Sequence, residues 1–198
     1  MAEDLKEDFS EEALEQSDSG FLELYEIIDG ARCMVGVPTK EHQAVAGEIY
    51  LQLGNYLKNK TCQAFTHPYA LEVKDYLENI PFDSRDIYYY PDVVVICDDF
   101  SYKGDKEIPA LVVEVASPST LYNDLNGKLN IYKQMGVKEY WVVINSSHVL
   151  VYLLEEGKFS GKIYVTETDV LSIPVVSFPD LTITLDKSKI FRIKRFKK

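Results

Sequence analysis

The sequence predicts an α/β (α+β) fold: a mixed β-sheet flanked by helices, with a β-hairpin near the amino terminus. Three observations carry this. β-prone runs lie on either side of Asp29-Gly30, two stretches place apolar residues at helical spacing, and a series of short apolar runs is punctuated by Pro, Gly or charged clusters. With 198 residues, 46% of them apolar and 12% aromatic, the chain can build one well-cored domain and is too apolar for wholesale disorder. No apolar run approaches the roughly 20 residues of a bilayer span, so no membrane partner is expected.

In chain order, residues 1–20 hold eight acids and one Lys and read as an acidic flexible tail. A domain is expected over 21–186, followed by a basic tail at 187–198. The domain opens with FLELYEIIDGARCMVGV, whose Asp29-Gly30 suits the positive φ values of a tight hairpin turn. Residues 40–59 put Val45, Ile49, Leu53, Tyr56 and Leu57 on one helical face behind Thr39 and the Pro38 stop. Apolar runs at Gln63–Val73, Tyr88–Cys97 and Ala110–Ala116 read as strands, the last two rich in Val. A second helix is expected over Asp124–Met135 with Gly136 as its carboxyl cap. Gly127 inside it costs about 1 kcal/mol relative to Ala. Glu139–Asn145, His148–Leu154 and Lys162–Glu167 alternate with short turns, as in an antiparallel meander, and the remainder is again β.

The net charge of -11 argues against a nucleic-acid partner, whose affinity comes mostly from Lys and Arg displacing counterions. Its distribution matters more. The first 20 residues contribute -7 and residues 187–198, with seven Lys/Arg and no acid, contribute +7, so the body between them is itself acidic at -11. Cys33, Cys62 and Cys97 are odd in number and far apart, with no C-x-x-C pair, which predicts neither a disulfide framework nor a zinc site. They read as buried thiols in a reducing compartment. The start of the chain has no cationic segment leading into an apolar one, so a cytoplasmic location is expected.

The chemistry begins with Glu114, in the middle of the apolar strand LVVEVAS at 111–117. Alternation gives Val113 and Val115 one face and Val112, Glu114 and Ala116 the other. A charged carboxylate there costs several kcal/mol unless it is neutral, paired with a base or bound to a cation. Asp92 follows Pro91 at the start of Val93–Cys97. If these strands are neighbours the two carboxylates converge, and a hard divalent ion such as Mg²⁺ would relieve their repulsion. Glu48 lies at the margin of the first helix's apolar stripe, where a solvated side chain is the plainer reading. His42 falls within that stripe, as a hydrogen-bonded histidine rather than a ligand. Asp124, Lys128 and Tyr132 share a helical face, on which Lys128 alone would read as a surface lysine with an intrahelical ion pair.

Taken together, YEIIDG at 25–30, EHQ at 41–43, PDVVV at 91–95, VVEVASPST at 112–120, the D-x-x-x-K-x-x-x-Y spacing from Asp124 and GVKEYWVV at 136–143 carry a resemblance. The sequence resembles the Uma group of uncharacterised bacterial proteins, assigned to the PD-(D/E)XK superfamily with the restriction-endonuclease-like fold. The resemblance implies a restriction-endonuclease-like core and a metal-dependent endonuclease acting on DNA. It assigns Asp92 and Glu114 to Mg²⁺ (or Mn²⁺), with the Val115 carbonyl as an extra ligand and Glu48 as a further one. Two residues after Glu114, where the superfamily motif has lysine, stands Ala116. The resemblance transfers the catalytic lysine to Lys128 on the following helix, with Tyr132, Asp124 and His42 in support. Ser117, Ser119 and Thr120 turn the chain and offer hydroxyls to phosphate. Cutting both strands of a duplex would favour a homodimer. The acidic body keeps a second reading open, a non-catalytic nucleic-acid-binding or regulatory module with a vestigial site.

Overall fold

The computed structural model describes residues 24–77, 87–97 and 108–191. The expected acidic tail at 1–20 and residues 192–198 of the expected basic tail lie outside them.

The hairpin forms where Asp29-Gly30 places it. Strand β1 (Tyr25–Ile28) returns as β2 (Ala31–Met34) through Asp29 at φ 49 and Gly30 at φ 77. Helix α1 (Lys40–Leu57) starts at Thr39, whose side chain accepts the His42 N–H and satisfies one of the unpaired donors of the first turn. The run at 63–73 divides into β3 (Gln63–Thr66) and β4 (Leu71–Glu72) around a cis His67-Pro68 bond. The run at 88–97 likewise divides at Pro91 into β5 (Tyr88–Tyr89) and β6 (Val93–Ile96), because proline cannot donate to a ladder. Strand β7 (Leu111–Val115) leads into α2 (Leu121–Leu125) and α3 (Gly127–Met135), and β8 (Glu139–Asn145) opens the meander with β9 (His148–Glu155) and β10 (Lys158–Val165). A hairpin of β11 (Val170–Pro174) and β12 (Thr182–Asp186) follows, then the short helix α4 (Lys187–Ile190).

The central sheet has six strands in the order β10-β9-β8-β7-β6-β3. Only β7 and β8 run parallel, joined by the crossover through α2 and α3. On one face Val45, Ile49 and Leu53 of α1 pack with Val93, Val113 and Trp141, and β11–β12 adds Ile173, Ile183 and Leu185. On the other, Ile27, Tyr89 and the α3 residues Ile131 and Tyr132 cover Val94, Val112 and Val142. Burial on both faces is why these strands read as unbroken apolar runs.

Two further expectations are corrected. The single helix over 124–135 is two, broken at Asn126 (φ -128, ψ -82). Gly127 sits at the break because α3 begins hard against the β1–β2 turn: a Cβ there would collide with Ile28 and press on Asp29. Glycine therefore permits a close approach that would otherwise be blocked. The cysteines are also not all thiols. Gln63 pairs with Ile96 across β3 and β6, so one further register step sets Cys62 opposite Cys97, and the two form a disulfide while Cys33 remains free. A separation of 35 residues hid that pairing, which exists only through the register, and the cysteine argument for a reducing compartment falls with it. Among the described residues no helix is long and apolar enough to cross a membrane.

Candidate active site at the carboxyl end of the parallel strands

Because β7 and β8 are parallel, with Val115 opposite Val143, both end at the same edge of the sheet. Strand β6 runs the other way, Val93 opposite Val113, so it begins at that edge. One more step of this register sets Asp92 opposite Glu114, which meets the condition for their convergence. A cleft of about 1170 Å³ opens here, lined by Glu26, Asp92, Glu114 and Lys128 within and by the start of α1 and the Ser117–Thr120 turn at its mouth.

Glu114 is only 4% exposed. Its Oε1 accepts from Lys128 Nζ at 3.0 Å and from the Tyr132 hydroxyl at 2.8 Å. Lys128 is also buried, 2.9 Å from Glu26 Oε2 and 4.0 Å from Asp124 Oδ1. The surface-lysine reading is thus overturned: the break before α3 tips its first turn into the space between sheet and hairpin. Asp92 Oδ2 accepts the Val115 N–H at 2.7 Å and lies 3.2 Å from His42 Nε2. The Asp124 carbonyl accepts from the Tyr140 hydroxyl at 2.9 Å, which fixes the end of α2 to the sheet.

Helix α1 supplies His42 from its first turn. Glu48, six residues on, accepts from Gln52 at 2.8 Å and does not line the cleft. Ser117, Ser119 and Thr120 bond mainly to one another: Ser117 N–H donates to Thr120 Oγ1 at 2.9 Å, and the Ser117 and Ser119 hydroxyls are 2.9 Å apart. They turn the chain, as expected, with hydroxyls at the cleft mouth.

Glu26 was missed as a site residue. It is 6% exposed, its Oε2 meets Lys128 and its Oε1 accepts the Tyr90 N–H at 2.9 Å, just ahead of Pro91-Asp92. The signal was present in YEII, a lone acid in an apolar strand, the same pattern that marked Glu114.

Burial drives the electrostatics. It would by itself discharge Lys128, but Glu114, Glu26 and Asp124 overrule it and the ammonium keeps its proton well past the ordinary lysine range. Burial raises the Glu114 carboxyl well above the usual glutamate value; Lys128 opposes this while Asp124, Asp92 and Glu26 add to it. Asp124 is pushed up to about 6, again by burial first and against Lys128. His42 is raised, chiefly by its hydrogen bond to Asp92, against the desolvation of its ring. Four carboxylates thus face one lysine and one histidine.

That surplus of negative charge suits a divalent cation. Asp92, Glu114 and the Val115 carbonyl are hard oxygen donors, and Mg²⁺ needs only one or two carboxylates because it keeps several waters. Among the described residues no group of three or more His, Cys, Asp or Glu side chains is placed to hold a metal, so a site here would rest on two carboxylates and the backbone.

The family profile described as "Uma2: Putative restriction endonuclease" matches residues 11–186. The chain belongs to the Uma2 family. An uncharacterized protein of Synechocystis sp. is 28% identical over 137 residues, covering 68% of this chain and 67% of the relative. The crystal structure of "a putative nuclease belonging to DUF820" from Anabaena variabilis superposes with a TM-score of 0.61 at 19% identity, covering 86% of this chain and 90% of that one. At that identity the likeness establishes the fold, which is restriction-endonuclease-like. This Uma2 member carries its acidic cleft where the β6–β7–β8 topology of that fold opens.

Proposed function

We propose that the cleft hydrolyses phosphodiester bonds of DNA as an Mg²⁺- (or Mn²⁺-) dependent endonuclease. One observation carries the reading: Asp92 and Glu114 lie opposite each other at the edge of adjacent strands, with a buried lysine against Glu114. Asp92, Glu114 and the Val115 carbonyl would hold the ion, which when bound would polarise a phosphoryl oxygen and acidify a water. Lys128 places a permanent positive charge beside that position, suited to the charge that grows on the phosphoryl group. Asp124 and Glu26 fix Lys128, Tyr132 fixes Glu114, and His42 and the Val115 N–H fix Asp92. Ser117, Ser119 and Thr120 offer hydroxyls to the phosphate. Glu48 lies outside the cleft and is assigned no ligand role.

Asp92→Ala, Glu114→Ala and Lys128→Ala should each abolish Mg²⁺- or Mn²⁺-dependent cleavage of plasmid DNA. Three variants that cut as fast as the parent would sink the reading. A twofold dimer would bring one such cleft to each strand of a duplex, and sedimentation with and without DNA measures that.

The engagement of Glu114 Oε1 by Lys128 and Tyr132, together with the acidic body, favours one alternative: a nucleic-acid-binding or regulatory module whose site is vestigial. Calorimetric titration with Mg²⁺ separates the two, since the enzyme requires saturable binding that Asp92→Ala removes.

A further inference from the structure

The acids of the cleft leave open how a polyanion is held long enough to react. The lining has Glu26, Glu41, Asp92, Glu114 and Asp124 against two lysines, Lys128 and Lys187. Lys128 is consumed by three of those carboxylates. Lys187, the first residue of α4, is half-buried and has no ion-pair partner among the described residues, although its neighbour Lys189 pairs with Asp186 at 3.7 Å. It is tethered through its backbone, its N–H donating to the Asp169 carbonyl at 2.9 Å.

A second group reaches the same cleft. Since β8 ends beside β7, the turn from Asn145 to His148 follows two residues after Val143, the partner of Val115. The turn is preformed. Asn145 Oδ1 accepts the Ser147 N–H at 2.8 Å and stands 3.2 Å from His148 Nδ1. A carboxamide oxygen only accepts, so that ring nitrogen carries the hydrogen. No described group bonds to the Asn145 Nδ2 amide, leaving its two N–H groups for a ligand. A bulge between Val143 and Asn145 interrupts the ladder just before the Asn145–His148 pair that closes the turn.

We propose that Lys187 and the Asn145–His148 turn form a backbone-phosphate subsite, which holds the DNA strand beside the phosphate that reacts at Asp92 and Glu114. The inference rests on the reading of the cleft as a DNA site and adds where the strand is gripped. Lys187 supplies the charge and Asn145 its Nδ2 donors, while His148 Nδ1–H holds the Asn145 oxygen, a division in which charge positions the backbone without reading sequence.

The test is DNA affinity of the full chain, by anisotropy of a fluorescent duplex over a range of KCl concentrations. Loss of one phosphate contact lowers the salt slope by about 0.9 and weakens binding about fivefold to tenfold at 0.1 M salt. Lys187→Ala should show both changes, Lys187→Arg should restore the slope, and Asn145→Ala should weaken binding with the slope unchanged. Lys189→Ala removes the same charge from an exposed position outside the cleft and should bind like the parent. Equal effects of Lys187→Ala and Lys189→Ala, or no effect of either on a parent that binds, overturns the subsite alone. A parent with no salt-dependent DNA binding overturns the subsite together with the reading beneath it.

Discussion

Two buried glutamates lie on neighbouring parallel strands, Glu139 at the start of β8 and Glu114 near the end of β7, and they are treated in opposite ways. Glu139 is fully enclosed, and its carboxylate accepts from Trp141 Nε1 at 2.8 Å and from the backbone N–H groups of Val176 and Ser177 at 3.2 and 2.7 Å. Both oxygens are satisfied by neutral donors, and the β11–β12 connection is pinned to the sheet. Glu114 instead gives one oxygen to Lys128 and Tyr132, makes no hydrogen bond through Oε2 to the described residues, and faces three further carboxylates across a cleft. A buried acid with a complete set of N–H donors is a structural joint. One left among like charges at a cavity is suited to a ligand.

The sharpest break of this comparison is Glu139→Ala. It orphans the buried Trp141 Nε1–H and two part-buried backbone N–H groups and should cost roughly 4 kcal/mol in urea denaturation. The remaining folded protein should keep its cleavage rate. Asp124 comes next, because its folded value of about 6 exceeds its ordinary 3.8. A raised carboxyl favours the protonated native state, so the stability it offers is full below about pH 4 and is lost as pH rises through about 6. In metal-free buffer at pH 8, Asp124→Asn should therefore be more stable by up to about 3 kcal/mol. The gain should vanish near pH 4, and an equal gain at both pH values would refute the assignment of charge.

Glu114→Gln should abolish cleavage, and its metal-free stability should fall less than the parent's as pH rises, because the raised Glu114 carboxyl can ionise and Gln cannot. Its thermal midpoint should not respond to Mg²⁺, whereas the parent should gain about 2.7 kcal/mol at a hundred times the dissociation constant. The smallest effect belongs to Glu48→Ala. It loses a contact with Gln52 on a half-exposed face, and both stability and cleavage should stay within about twofold of the parent.

The contrast also marks how far the sequence could be read. Glu114 announced itself because it interrupts a run of valines, and Asp92 because Pro91 fixes where a strand begins. Glu139 is equally buried but sits at the first position of EYWVVIN, where an acid looks like an ordinary strand end. Glu26 carries the Glu114 signature in a hairpin, where one face is commonly solvated. Lys128 was found by resemblance and misread by helix statistics, since its burial depends on the break at Asn126 and on what Gly127 allows α3 to approach.

The sequence by itself determined most of the elements and their order and singled out Asp92 and Glu114, because periodicity, turn chemistry and a misplaced charge act over a few residues. Only the tertiary structure decided the Cys62–Cys97 pairing, the contact of His42 with Asp92, the contact of Glu26 with Lys128 and the approach of Lys187 to the cleft. Each of these depends on register and on the packing of one layer against another, and those are settled by residues far apart in the chain.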